Sequence, residues 1–459
     1  MGRLRFVRAE ELATNYLDFR DVVVLDNVPN DISVVSGLIT EQFQTPLSHV
    51  NVLAQNRKTP NMGLREATTR PELRALDGEW VELSVGANAW SVRQATSAEA
   101  DAFWEENGPG TVELPALDLS VTELRDVEDI VIEGELPLGD AIRQAVLAFG
   151  AKASNYSVLA NTSGVPVRPG FAVPVYYYVQ FMEENGFYEQ VDTLLADPVF
   201  RSEPKERDVR LRALRDAMAV APVNAEFQSL LREKLDTDYP GQTMRFRTST
   251  NAEDLDGFPC AGCYESHTGN PADWEGDLLN AIRDTWAGVW FFRTFEERSY
   301  HGIDHKGVGM ALLVHHNFPA EEANGVALTA NPFDPSGLEP GFYVNVQWGG
   351  EVEVVHPPPG VTSDEILYFF DSRNQPATYL TRSNLVGPNE TVLSRGQLFE
   401  LGAALSAIHA RFSPAYGAGA GNNDWYAMDV EFKFDDEYAP GMLPTLQVKQ
   451  ARPHPGRGQ

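Results

Sequence analysis

A chain of 459 residues is too long for one ordinary hydrophobic core and points to two to four domains. Apolar residues make up 43% and aromatics 10%, the composition of a globular protein rather than a disordered one. A formal net charge of −30 repels nucleic acid and anionic membrane, so neither is an expected partner, and any polyphosphate site must be a local basic island.

The chain contains no 18-residue apolar run, and its start, MGRLRFVRAEEL, has no apolar signal core. Phe6 stands where a myristoylation motif needs Ser or Thr. These features predict a cytoplasmic protein. Only two cysteines are present, so no disulfide framework is expected and a four-cysteine zinc site within one chain is impossible. Cys260 and Cys263 form a lone CxxC; a redox role is the lesser reading without a thioredoxin-like context.

In chain order, residues 19–36 read as a strand, a Pro/Asn turn and a second segment. Gly37–Thr40 is a short buried strand, followed by a loop over 41–47. A helix is predicted from about Ser48, its N-cap, to Asn56, with 58–63 as closing turn residues. His49 then lies in the first turn, where free amides and the helix dipole favour an anion, so it could carry a phosphoryl group; a structural or exposed histidine is the alternative. Val81–Val85 alternates as a strand, and this small α/β unit ends near residue 105.

Residues 106–137 are acidic, Pro/Gly-containing and weakly periodic, and read as a linker, or alternatively as a partly ordered strap on the surface. Asp140–Ala148 is helical, and Phe149-Gly-Ala-Lys152 leads into a second helix that ends near Gly164. Lys152 at that helix start suits phosphate as a point charge, or is a solvated surface lysine. Residues 180–240 read as charged, mostly exposed helices. Met244–Thr250 is a strand with Met244 and Phe246 on one face and Arg245 and Arg247 on the other. It runs into a polar loop carrying Glu253 and Asp254. Two arginines beside small hydroxyl residues suit a polyphosphate; an edge strand with solvated arginines reads equally well.

Residues 277–301 form an aromatic-rich helix whose Arg293 and Arg298 favour a salt-bridged face over phosphate. Val308–Val314 and Gly325–Pro332, which includes Thr329, are buried strands. His315 and His316 point to opposite faces, which argues against shared metal ligation. In Met428–Phe434 the apolar side chains face a core, and Asp429 and Glu431 share the other face. Two such carboxylates can hold Mg²⁺ against nucleotide phosphates, or form a solvated acidic edge. On charge alone, Glu431→Gln should leave stability equal or slightly higher, because acidic self-repulsion drops.

Several of these segments resemble one family. Arg247-Thr-Ser-Thr-Asn-Ala-Glu-Asp-Leu is similar to the arginine–serine–serine…alanine–glutamate–aspartate signature of the nucleotide domain of phosphoenolpyruvate synthase and pyruvate phosphate dikinase, with Thr248 as the first hydroxyl. The following CAGCY loop departs from the family's small residues. Phe149–Lys152 resembles the glycine–glycine–lysine element, with Ala151 for the second glycine. Residues 308–314 resemble the adenine-hinge strand, with His315 in place of the usual glutamine. Asp429-Val-Glu431 and Gln450-Ala-Arg452-Pro453 resemble the domain's ending, and Gly349-Gly-Glu351 more weakly its glycine–glutamate loop. Thr45-Pro-Leu-Ser-His49 resembles the phosphohistidine motif of the same enzymes, in a form most similar to alpha-glucan water dikinase.

The resemblance implies mixed α/β and α+β architecture: a small swivelling phosphohistidine domain (1–105), an acidic linker (106–137) and an ATP-grasp nucleotide domain in two parts (138–310 and 311–459). It implies His49 and Arg247 as catalytic residues, and Lys152, Arg247, Thr329, Glu431, Gln450 and Arg452 as ATP-binding residues. It also implies Asp429, Glu431 and Gln450 as Mg²⁺ ligands. The expected activity passes a phosphoryl group from ATP through His49 to an acceptor such as pyruvate, a glucan or another small molecule, releasing AMP and phosphate. The histidine domain comes first, the order of the C-terminal half of a glucan water dikinase. Two alternatives remain: an enzyme half that needs a separate or upstream acceptor-binding region, and a non-catalytic nucleotide-binding scaffold.

Overall fold

The computed structural model describes residues 1–454 except 13, 30–31, 45–47, 87–88, 109, 133, 135, 254, 256–257, 259, 261, 319–320, 335–337, 351–353, 355–356, 359, 418–424 and 437–442, and does not describe the side chains of His49, Val52, Gln55 and Asn56. Mixed α/β architecture is built on three sheets, which take their strands from three successive stretches of the chain.

The first sheet contains β1 (Gly2–Val7), β2 (Asp21–Leu25), β3 (Gly37–Thr40), β4 (Asn61–Gly63), β5 (Trp80–Val85) and β6 (Trp90–Gln94), in the order β4-β3-β2-β1-β5-β6. Strands β1 to β4 are parallel, and β5 and β6 antiparallel. After Asp21, which pairs with Arg5, the all-buried VVVL of β2 is the continuous apolar run that a parallel strand covered on both faces requires. Helices α1 (His49–Asn56), α2 (Pro71–Arg74) and α3 (Ser97–Asn107) complete this unit. Asn61–Gly63 is a strand rather than closing turn residues, because it pairs in register with β3.

The second sheet, β10-β9-β11-β8-β7, joins β7 (Arg125–Asp126), β8 (Gly170–Val173), β9 (Met244–Thr250), β10 (His267–Gly269) and β11 (Met310–His316), all antiparallel. One face packs on α5 (Tyr176–Glu184), α6 (Phe187–Ala196), α7 (Pro198–Ser202), α8 (Pro204–Ala219), α9 (Ala225–Asp238), α10 (Leu279–Ala287) and α11 (Phe292–Tyr300) through a large aromatic core. The stretch read as one helix over 277–301 is two, α10 and α11. Extended backbone at Phe291 breaks it.

The third sheet, β15-β14-β13-β12-β16-β17, is a fully antiparallel set: β12 (Ala323–Leu328), β13 (Phe342–Trp348), β14 (Asp364–Tyr368), β15 (Ala377–Thr381), β16 (Met428–Asp435) and β17 (Thr445–Pro453). It packs on α12 (Arg395–Tyr416) and on α4 (Leu138–Ala160). Ser394 and Gln397 form a reciprocal capping box that starts α12. Helix α4 also touches β9 and β11, so it joins the second and third sheets.

Two features bear on the site. Helix α4 breaks at Gly150 (φ 72°), where a Cβ would lie 2.3 Å from the Ser249 carbonyl. Only glycine allows β9 to approach the start of the second helical half so closely. Secondly, the segment expected to be a linker is laid along the body. The Val112 N–H donates to His301 O at 3.1 Å, and Leu114, Leu117 and Leu124 pack on the aromatic core. Val127, Ile130 and Val131 are buried beneath α4. The acidic residues that suggested a linker alternate with these apolar anchors.

Candidate functional site

Strand β9 presents Arg245 and Arg247 to a cleft of about 1560 Å³, with Met244 and Phe246 buried on the opposite face. Lysine and arginine outnumber aspartate and glutamate along the cleft by seven to four, a basic island in a strongly acidic chain. The facing wall comes from β16 and β17. Met428, Val430, Phe432 and Phe434 enter the core as their alternation predicts, while Glu431 and Lys433 face the cleft. A bulge after Glu431 shifts the register, so that Lys449 of β17 joins them.

Arg247 ties the two walls together. Its Nη1 donates to Lys449 O at 2.6 Å, and its Nη2 to Gln450 Oε1 at 2.8 Å and Glu431 Oε2 at 3.3 Å. Lys449 Nζ stands 3.6 Å from the same Glu431 oxygen. Burial pushes the Glu431 carboxyl up, but Lys449, Arg247, Arg452 and Lys152 outweigh it and hold the group well below the usual carboxylate range. Burial, opposed by Glu431, lowers Lys449 to about 8, with Arg247 and Arg245 adding to the fall.

Beneath the cleft surface, Lys152 begins the second half of α4 and is 8% exposed. Its Nζ donates to Thr248 Oγ1 and to Glu253 Oε1, both at 3.2 Å. Asp429 Oδ2 accepts from Arg452 Nε and Nη2 at 2.9 and 2.8 Å. The structure therefore gathers Arg247, Glu431 and Gln450 into one contact group, with the Arg452–Asp429 pair one step along the same two strands. Thr329 is set apart: its hydroxyl accepts the Met428 N–H at 2.8 Å and lies 3.0 Å from His409 Nδ1, away from the cleft lining.

The oxygens of Glu431 and Gln450 converge on the position filled by the Arg247 guanidinium. Hard oxygen donors of this kind fit Mg²⁺. Asp429 is engaged by Arg452, and among the described residues no group of three or more His, Cys, Asp or Glu is arranged to hold a metal. An ion here would take the rest of its coordination from phosphate and water, which is usual for Mg²⁺.

His315 is buried with its ring stacked on Tyr156, its Nδ1 2.8 Å from His316 O, and is held well below its ordinary value by burial and by Arg247. His316 faces the other way, with Nδ1 2.9 Å from Arg168 Nη1, so the two imidazoles share no ligand position. Arg298 is buried inside the helical layer, donating to Val289 O at 2.7 Å and to His305 Nδ1 at 3.2 Å, while Arg293 reaches the cleft. Asp254 and Glu351 lie outside the described residues.

His49 opens α1, with Ser48 Oγ 3.4 Å from the Asn51 N–H as an N-cap; the His49 side chain and Thr45–Leu47 lie outside the described residues. The N-terminal unit docks beside the cleft. Tyr16 Oη donates to Asp208 at 2.9 Å, Arg57 Nε to Glu297 at 2.8 Å, and Leu12, Tyr16 and Ile32 form part of the rim.

Sequence reasoning missed Lys433, Lys449, Arg212 and Arg215 as cleft residues. The strict alternation of β16 carried the signal for Lys433. Arg212 and Arg215 share a face of α8, but only tertiary packing decides which face meets the cleft.

A basic cleft between two antiparallel sheets, with an Arg–Glu–Gln cluster at its wall and a buried lysine at a helix start beneath it, defines a nucleotide-type site, and the comparisons agree. Residues 146–458 match the family described as pyruvate phosphate dikinase, AMP/ATP-binding domain, and the chain belongs to that family. It is 25% identical over 205 residues to phosphoenolpyruvate synthase of Aeropyrum pernix, covering 44% of this chain and 24% of that protein. It is 27% identical over 303 residues to a probable phosphoenolpyruvate synthase of Methanothermobacter thermautotrophicus, covering 61% and 42%. A rifampicin phosphotransferase of Bacillus cereus is 26% identical over 185 residues, covering 40% and 21%. The chain thus spans well under half the length of these relatives. No helix among the described residues is long and apolar enough to cross a membrane.

Proposed function

We propose that the chain is an ATP-dependent phosphotransferase of the dikinase type, with an ATP-grasp nucleotide domain and a swivelling phosphohistidine domain. The single observation that carries this reading is the Arg247–Glu431–Gln450 cluster at a basic cleft, with Lys152 at the broken helix beneath it. Arg247 and Lys152 would meet the nucleotide phosphates; Glu431 and Gln450, released from Arg247, and Asp429, released from Arg452, would be the oxygen donors for Mg²⁺. A bound Mg²⁺ supplies charge neutralisation for the phosphates. The transfer balances as ATP, water and His49 giving AMP, phosphate and phosphohistidine. The phosphoryl group then passes to a small-molecule acceptor, a class suggested by the names of the relatives.

The test is intact-mass measurement after incubation with ATP and Mg²⁺. Wild type should gain one acid-labile, base-stable phosphate, and His49→Ala none. Lys152→Ala and Arg247→Ala should abolish labelling, since losing a charge-assisted contact to a transferring group costs roughly several kcal/mol in the transition state. Equal labelling of wild type and His49→Ala would overturn the assignment.

A further inference from the structure

The CxxC that the sequence left without a role is closed: Cys260 and Cys263 form a disulfide. These are the chain's only two cysteines. The bridge sits in the loop that leaves the phosphate-facing strand β9, and Gly262, Cys263, Tyr264 and Ser266 form one wall of the cleft. Three observations couple it to the site. Cys260 holds left-handed backbone (φ 45°), a conformation costly for a residue with a Cβ, two positions before Gly262 at φ 75°. Cys263 O accepts from Thr294 Oγ1 at 2.8 Å, fixing the wall to α11. Ser266 Oγ accepts from the Thr248 N–H at 3.3 Å, and Thr248 Oγ1 in turn accepts from Lys152.

We propose that Cys260–Cys263 is a thiol–disulfide exchange site whose redox state sets the affinity of the adjacent cleft for ATP, with a dithiol as its reactant. The two sulfurs are unequal. Cys260 is 1% exposed inside the aromatic core, and Cys263 borders the cleft. Access therefore selects Cys263 Sγ for attack by a reductant thiolate. The S–S bond breaks, a mixed disulfide forms at Cys263, and Cys260 leaves as a thiolate. The reductant's second thiol then attacks its own sulfur in the mixed disulfide and releases Cys263. Two electrons and two protons pass from the dithiol to the cysteine pair, and the reductant departs as a disulfide. Once open, the turn has no bond holding Cys260 left-handed. The wall from Gly262 to Ser266 relaxes and the support of Thr248 and Lys152 loosens.

This inference rests on the ATP reading above, so its test separates the two. Wild type is prepared oxidised, or reduced with dithiothreitol until two thiols titrate per chain, and ATP affinity is measured by calorimetry. The reduced form should bind at least about five-fold more weakly, the lower bound of ordinary coupling between sites. By the same linkage, saturating ATP should shift the dithiol–disulfide equilibrium toward the disulfide by the same factor. The Cys260→Ser/Cys263→Ser double variant should bind like reduced wild type and ignore dithiothreitol. Equal ATP affinity of the oxidised and reduced forms, with two thiols titrating, would overturn the coupling. Absence of ATP binding in both forms would refute the nucleotide reading instead. Hydrogen exchange at the Thr248 and Cys263 amides then decides the remainder. Faster exchange on reduction supports redox control of the wall, and unchanged exchange overturns it.

Discussion

Glu431→Gln tests the electrostatics of the cleft most directly. The net charge of −30 predicts that removing an acid is neutral or slightly stabilising. The structure reverses the sign. Glu431 is the carboxylate on which Arg247 and Lys449 converge, and Arg452 and Lys152 act on it as well. Glutamine keeps the shape and one acceptor but leaves those cations facing one another. Breaking a buried pair costs about 3–5 kcal/mol. The Glu431 side chain is 34% exposed, so screening reduces the expectation to about 1–3 kcal/mol. The sign with pH follows from the lowered folded value. The contribution is complete above the ordinary carboxyl value of 4.5 and shrinks as pH falls below it. Urea unfolding of both proteins at pH 7 and pH 3 measures this. Lys449→Leu in the Glu431→Gln background should recover part of the loss, giving a favourable coupling in the double-mutant cycle. A Glu431→Gln protein as stable as wild type at pH 7 would refute the reasoning.

Two further outcomes are expected. Gly150→Ala places a Cβ against the Ser249 carbonyl at left-handed φ and should cost about 2–5 kcal/mol, from strain plus overpacking, read by denaturant unfolding. ATP affinity should fall as pH rises through about 8, because Lys449 loses its proton there in the free protein, whereas a bound polyphosphate favours the charged form. Binding should therefore take up protons near pH 8, seen as a dependence of the calorimetric heat on buffer, and Lys449→Leu should abolish that dependence.

Much of the cleft was legible because local rules survive into it. The period of two in β16 places Glu431 opposite a row of core residues, and the Gly150 break separates two helices where the sequence puts Phe149-Gly-Ala-Lys152. What could not be read depends on distant partners. Lys449 enters the cleft through a bulge that leaves no periodic trace. Arg57 finds Glu297 at a separation of 240 residues. Thr329, expected within a buried strand, follows the last residue of β12, and its hydroxyl is engaged with Met428 and His409, which only the fold brings near. The acidic stretch after residue 105 resembles a linker in composition, because a strap that buries one apolar residue in several carries almost no periodic signal.

The strap fixes how far the N-terminal unit can travel. Helix α3 ends at Asn107, and Val112 is already bonded to His301. The four residues between them span at most ~18 Å when extended, counting the bonds to both ends, against ~100 Å for a free segment of about 30 residues. Further travel would mean peeling the strap off and exposing Leu114, Leu117 and Leu124 to water. The unit carrying His49 is therefore a door on a short hinge rather than a shuttle on a leash. If His49 carries a phosphoryl group as proposed, its acceptor would have to come within the arc of that door, at surfaces bordering the cleft.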